Sequence, residues 1–105
     1  MQPILKLNLT TGETSEYKIP LEWERDYLGG ASLAARILFP SLTRELDPFS
    51  PEAPLLFLNG PLTGSAGLTT GRFAVCGKSP ATNLWAESNC GGFWCPELLF
   101  CGDDG

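Results

Sequence analysis

Arg72-Phe73-Ala74-Val75-Cys76-Gly77-Lys78-Ser79-Pro80, with Asn83-Leu84-Trp85-Ala86-Glu87 close behind, decides the fold class. Arg72–Cys76 reads as a strand, Lys78-Ser79-Pro80 as a turn and Asn83–Glu87 as the next strand, with no helix between them. Upstream, Leu55-Leu56-Phe57-Leu58 is a continuous apolar run between a proline-rich loop (Leu46–Pro54) and Asn59-Gly60-Pro61, which predicts a strand sheltered on both faces. Nearer the N-terminus, Ile4, Leu5, Leu7 and Leu9 give a largely alternating strand. Thr10–Glu13 supplies a turn and a second strand is expected near Ser15–Ile19, making a hairpin. Pro20 opens a short helix to Tyr27, because its missing N–H falls among first-turn donors that have no partner anyway, and Gly29-Gly30 stops or bends it. A second helix follows with Leu28, Ala31, Ala35, Leu38 and Phe39 on its core face, Arg36 on another face and Pro40 at its end. Downstream, Asn89-Cys90-Gly91-Gly92 reads as a glycine turn, and Phe93–Phe100 as a helix with Pro96 in its first turn. The order β-β-α-α-β-β-β-α predicts an α+β fold with mixed or antiparallel sheets and short helices rather than a regular βαβ array.

The 105 residues amount to one small domain, and an apolar content of 43% against 18% charged residues is that of a chain that folds. A formal charge of -5 argues against broad binding to nucleic acid or to an anionic membrane surface, both of which need clustered Lys and Arg. The start, Met1-Gln2-Pro3-Ile4-Leu5-Lys6, lacks the charged-then-apolar layout of a signal peptide, and no apolar run reaches membrane-spanning length. A cytoplasmic protein is the expectation.

Chemistry concentrates in the glycine-rich second half. Gly64-Ser65-Ala66-Gly67-Leu68-Thr69-Thr70-Gly71-Arg72 either lets backbone N–H groups and a guanidinium meet a phosphate, or is a hairpin loop whose arginine caps a sheet edge in water. It is not a P-loop, because no Gly-Lys-Ser/Thr closes it. Asn89-Cys90-Gly91-Gly92 before a helix either offers N–H groups to an anion and carbonyls to a cation, or is a plain strand-to-helix turn. The four cysteines, Cys76, Cys90, Cys95 and Cys101, contain no Cys-x-x-Cys and there is no histidine, so structural zinc would need thiolates at unusual intervals. Buried free thiols are the expected state, with a disulfide as the alternative. Without histidine no His-based nucleophilic dyad forms within the chain, and Glu87 and Glu97 read as solvated carboxylates more readily than as acid–base groups.

Taken in order, Asn8-Leu9-Thr10-Thr11-Gly12, Tyr27-Leu28-Gly29-Gly30, Asp47-Pro48-Phe49-Ser50-Pro51-Glu52, Gly60-Pro61-Leu62-Thr63-Gly64, Gly71-Arg72-Phe73, Lys78-Ser79-Pro80 and Gly91-Gly92-Phe93-Trp94 with Pro96-Glu97-Leu98 form a set. This set resembles the N-terminal domain of tungsten-containing aldehyde ferredoxin oxidoreductases over nearly the whole chain. The last two segments also look like the branch with the tungsten subunit of benzoyl-CoA reductases, so the substrate need not be an aldehyde.

The resemblance implies a partial N-terminal tungstopterin-binding domain over residues 1–105, on which a bis-pterin with tungsten, or molybdenum, rests together with magnesium. It assigns Arg72 to the pterin phosphates and the Asn89 backbone carbonyl to the magnesium ion, with Cys90, Gly91 and Gly92 forming the cofactor-side turn. In the full-length enzyme it implies a four-iron, four-sulfur cluster, ferredoxin or a redox subunit as electron acceptor, and a form compatible with a homodimer. Cys76, Cys90, Cys95 and Cys101 fall where relatives carry other residues, so the cluster's ligands are not assigned to them. The family domain is longer, and relatives continue past the position of Gly105 into another strand. The chain by itself is therefore expected to lack turnover. The rival readings are a non-catalytic pterin- or partner-binding module and a small thiol-rich structural protein.

Overall fold

The computed structural model describes residues 1–105 as five strands and three helices in the order β-β-α-α-β-β-β-α. Strands β1 (Ile4–Asn8) and β2 (Glu13–Tyr17) pair antiparallel from Ile4↔Tyr17 to Asn8↔Glu13. The Asn8 side-chain oxygen accepts the N–H groups of Thr10 and Thr11 at 3.0 and 3.3 Å, and Gly12 closes the turn at φ 76°. The turn ends at Gly12, so the return strand begins at Glu13, ahead of the expected Ser15.

Helix α1 (Leu21–Tyr27) follows Pro20, whose carbonyl accepts from Trp23 and Glu24 at 2.9 and 3.2 Å. Helix α2 (Gly30–Leu38) packs on the second sheet, made of β3 (Leu56–Asn59), β4 (Arg72–Lys78) and β5 (Trp85–Gly91) in the order β3-β4-β5. Both pairings are antiparallel, so neither sheet is mixed. Helix α3 (Trp94–Cys101) ends at Gly102, φ 104°, where Gly102 N donates to Leu99 O and Asp103 N to Leu98 O. This double bond pattern satisfies the last free carbonyls of the helix.

The core is thin: Ile4, Leu33, Ala34, Leu38, Leu58, Ala74 and Cys76 make one buried cluster between α2 and the sheet. The α2 face differs from the expected one. Leu33, Ala34 and Leu38 are buried, whereas Leu28 is 66% and Phe39 81% exposed and Ala35 is also exposed. Leu28 sits at φ 63°, off the helical lattice, and Phe39 lies beyond the last helical residue, so neither joins the stripe. The α1–α2 junction therefore turns on Leu28 as well as on the expected glycines. Arg36 lies over the Trp23 ring at 4.1 Å from its centroid, a cation–π contact joining the two helices.

Strand β3 is covered fully on the Leu58 face and only in part on the other, where Asn59 is buried under α3. Leu58 is buried against the core, but Phe57, pointing the opposite way, is 38% exposed. Its outer edge is taken by Asp103–Gly105: Asn59 N donates to Asp104 O, Asp104 N to Pro3 O and Leu5 N to Gly105 O, at 2.8 to 2.9 Å. The last residues thus lace the small hairpin to the sheet. No helix is long and apolar enough to cross a membrane.

Candidate functional site

Arg72 opens the central strand of the sheet rather than capping an edge, and it is paired with Gly91 on β5. In an antiparallel ladder paired residues share a face, so Arg72, Ala74, Cys76 and Lys78 look the same way as Gly91, Asn89, Glu87 and Trp85. Helix α2 covers the β4 part of this face and leaves β5 exposed. Arg72 and Asn89 are diagonal neighbours there, because Asn89 pairs with Ala74, two residues on from Arg72.

The hydrogen-bond phase sharpens this arrangement. Asn59 N points away from β4 to Asp104, which makes Asn59↔Phe73 a non-hydrogen-bonded pair with β3. Phe73 therefore bonds toward β5, and alternation leaves Asn89↔Ala74 and Gly91↔Arg72 as non-hydrogen-bonded pairs. The bond from Ser79 N to Leu84 O at the other end of the ladder has the same phase. Since β5 is an edge strand, Asn89 and Gly91 turn their N–H and C=O groups out to its free edge. Asn89–Gly91 thus belongs to a strand and not to the expected turn, which is reduced to Gly92 and Phe93. The strand runs on because β4 offers a partner as far as Arg72.

Each glycine here has its own reason. A Cβ on Gly91 would lie 3.4 Å from Arg72 Nη1, so the bare strand surface is the resting place of the guanidinium. Gly92 faces open space but holds φ 128°, a conformation that side chains disfavour. Gly71 is the sterically strict one, because its Cβ would stand 2.5 Å from the Gly92 carbonyl oxygen. In the sequence Gly71 stands out only within the Gly71-Arg72-Phe73 segment; its steric role comes from the contact with Gly92.

Arg72 is exposed and takes part in neither of the chain's two ion pairs, Met1–Glu24 and Arg25–Asp26. An unpaired guanidinium, outward N–H and C=O groups and a strand end left bare at Gly91 fit a phosphate with an associated hard cation. Cys90 pairs with Phe73 and points its side chain to the opposite face, so it shares this surface only through its backbone. Two concave regions, of about 360 and 560 Å³, lie elsewhere, and none of Arg72, Asn89 and Gly91 lines them. The candidate site is an open ledge.

The thiols are not gathered. No group of three or more Cys, Asp or Glu side chains is placed to hold a metal ion, and all four cysteines are free, Cys76 and Cys95 buried, Cys90 and Cys101 exposed. Burial, and then the charge of Glu87 across the ladder, pushes the Cys76 thiol up to about 11. Burial also raises Cys95, against a lowering backbone hydrogen bond and with a further rise from Cys90. Both buried thiols are thus held protonated and unreactive.

Comparison with known proteins supplies the context of the ledge. Residues 4–105 match the family described as aldehyde ferredoxin oxidoreductase, N-terminal domain. The chain is 41% identical over 101 residues to the tungsten-containing aldehyde ferredoxin oxidoreductase of Pyrococcus abyssi (strain GE5 / Orsay), covering 96% of this chain and 17% of that protein. The Pyrococcus horikoshii (strain ATCC 700860 / DSM 12428 / JCM 9974 / NBRC 100139 / OT-3) protein of the same name is 40% identical over 101 residues, with the same coverage. Among solved structures, the active-site complex BamBC of benzoyl coenzyme A reductase in complex with 1,5-dienoyl-CoA aligns with a TM-score of 0.94 and 38% identity, over 98% of this chain and 16% of that one. The chain spans about a sixth of the length of these relatives. On residues, register and fold alike, it belongs to the aldehyde ferredoxin oxidoreductase family and is a fragment of its N-terminal domain.

Proposed function

We propose that this chain seats the pterin phosphates of a tungsten cofactor within a longer oxidoreductase. That enzyme oxidises aldehydes, or related oxo or aromatic acyl substrates, and passes the electrons through an iron–sulfur cluster to ferredoxin. The observation that carries the reading is the unpaired Arg72 guanidinium over bare Gly91, beside the outward carbonyl of Asn89. In this reading Arg72 meets phosphate oxygens, the Asn89 carbonyl takes one position of a magnesium ion, and the backbone of Cys90, Gly91 and Gly92 forms the wall. Gly71 keeps that wall against the strand that carries Arg72.

A tungsten bis-pterin, when bound, supplies the two-electron redox chemistry. The residues of this chain bind and orient, and the cluster ligands and the groups nearest the substrate belong to polypeptide beyond this domain. The names of the relatives support tungsten and aldehydes; the likeness to a benzoyl coenzyme A reductase complex supports the wider substrate range.

The test is a full-length Pyrococcus abyssi enzyme in which residues 4–105 of this chain replace the matching segment. Arg72→Gln is expected to lower tungsten and pterin content and aldehyde-dependent ferredoxin reduction together. The loss should be about 10-fold or more, since a hydrogen bond to a charged group contributes ~1.5–3 kcal/mol. Arg72→Lys should recover part of the content. Full tungsten and pterin loading in Arg72→Gln would remove the assignment.

A further inference from the structure

The Lys78-Ser79-Pro80 turn, which the cofactor ledge does not use, frames a hollow of its own. Lys78 Nζ donates to the carbonyls of Thr43, Arg44 and Leu46 and so holds the loop after α2 against the end of β4. Ser79 braces the other side. Its N–H donates to Leu84 O and its carbonyl accepts from Asn83 N, both at 2.8 Å, and its Oγ accepts from the N–H groups of Ala81 and Thr82. Between these two fastened loops and the end of α2 lies the concave region of about 560 Å³, a size ordinary for a small-molecule site. Phe39, Leu42, Leu84 and Trp85 give it an apolar, partly aromatic wall, of which Phe39, Leu84 and Trp85 are exposed.

The charge of the hollow is one-sided. Arg44 and Lys78 line it and no Asp or Glu does, in a chain whose acidic residues outnumber Lys and Arg by 12 to 7. Arg44 takes part in neither ion pair, and Lys78 is met by neutral carbonyls that leave its charge uncancelled. A concave site lined by one sign of charge beside apolar walls focuses its field on an incoming ion of the other sign.

We propose that this hollow binds a small anion carried on a flat apolar body, the chemistry shared by an aromatic carboxylate and a nucleoside monophosphate. The anionic group meets the Arg44 guanidinium in a charge-assisted hydrogen bond, and the ring lies against the wall that holds Trp85 and Phe39. An inorganic anion would leave that wall in water, and an uncharged ring would leave Arg44 unmatched; a ligand with both parts uses both. Trp85 and Gly91 stand at opposite ends of β5, roughly 20 Å apart at the usual rise of a strand, so the hollow is separate from the Arg72 ledge and the proposal does not depend on the cofactor assignment.

The experiment is an NMR titration of the isotope-labelled chain with naphthoate and, separately, with adenosine monophosphate, read at the Trp85 indole N–H. At least one of the two is expected to give a saturable shift there, with an affinity about 10-fold or more above that of its uncharged counterpart, naphthalenemethanol or adenosine. A response to naphthoate alone assigns the site to aromatic carboxylates, and a response to adenosine monophosphate alone assigns it to nucleotides. Arg44→Gln should lower the affinity by a similar factor and keep the far-UV circular dichroism, since Arg44 is exposed. No saturable shift with either anion overturns the proposal. Equal affinity for charged and uncharged forms also overturns it, and that comparison needs no variant. In the cofactor-free Pyrococcus abyssi chimera, equilibrium dialysis should retain the part of the binding that Arg44→Gln removes; its disappearance there would show the hollow to be filled in the longer protein and would sink the proposal.

Discussion

Asn59 Nδ2 donates to the Cys95 carbonyl at 3.1 Å, the one side-chain hydrogen bond that ties α3 to the rest of the domain. Asn59 is fully buried and its Oδ1 has no partner. The reverse amide orientation would set oxygen against oxygen, so the bond fixes which end faces the helix. Asn59→Ala is expected to destabilise the domain by ~1–3 kcal/mol, because the Cys95 carbonyl loses its side-chain donor and the buried amide's space is left unfilled. In hydrogen-exchange mass spectrometry, amides of Trp94–Cys101 should speed up more than those of Ala74–Cys76. Equal acceleration in both segments would mean that the bond does not set the helix.

Gly71 and Gly91 are expected to respond oppositely to a methyl group. Gly71→Ala puts a Cβ into the Gly92 carbonyl, and forced backbone shifts of this kind cost ~1–3 kcal/mol. At Gly91 the nearest obstacle is the end of the flexible Arg72 side chain, so Gly91→Ala should move the guanidinium and leave stability nearly unchanged. Urea denaturation of both variants checks the contrast; a Gly71→Ala midpoint equal to the parent's would contradict it.

Alkaline pH should weaken the fold through Cys76. Its thiol is raised from 9.0 to about 11 by burial and then by Glu87, so the native state holds the proton more tightly than the unfolded one. The resulting stabilisation is complete below pH 9, erodes between pH 9 and 11 and is gone above, a span of ~3 kcal/mol at 1.36 kcal/mol per unit. Cys76→Ala is expected to flatten that part of the pH profile of the urea midpoint. At pH 8 a thiol reagent should modify Cys90 and Cys101 quickly, and Cys76 and Cys95 only on unfolding. Parallel pH profiles in parent and variant would rule out this origin.

Lys78 Nζ donates to the carbonyls of Thr43, Arg44 and Leu46 at 2.7, 3.1 and 2.7 Å, gathering the loop after α2 onto the end of β4. Lys78→Met keeps the side-chain length and removes all three donors. The expected loss is ~1–3 kcal/mol, since hydrogen bonds from a charged group are the stronger kind but these are partly wet. Exchange of the 43–46 amides should rise well above that of the other loops, and unchanged protection there would oppose the assignment.

The element order was legible because each strand and helix is bounded by strong punctuation: Gly12, Pro20, Pro40, the 48–54 prolines and Pro80 all fall between elements. What failed was part of the choice of face. Leu38 and Ala31 do meet the core, but Ala35 is exposed and Leu33 and Ala34 are buried instead, a choice that only the sheet beneath α2 decides. Asn89-Cys90-Gly91 looks like a turn by composition, and the partner strand overrides that preference. The ledge was half legible. Arg72, Asn89, Gly91 and Gly92 stood out as anion- and cation-facing types, whereas the roles of Gly71 and Asn59 arise from contacts with residues 21 and 36 positions away in the chain.

The lacing of Asp103–Gly105 between β1 and β3 also sets the order in which the domain matures. Gln2 N reaches Asp104 Oδ2 across a sequence separation of 102 residues, so this clasp closes a very long loop. Its entropy must be lost before its bonds return anything, so the local hairpins gain their contacts sooner. During synthesis the β1–β2 hairpin emerges first, but its bonds to the larger sheet wait for residues 104 and 105 to leave the ribosome. The clasp therefore closes late: the β1–β2 hairpin stays unattached at this seam until residues 103–105 have been made.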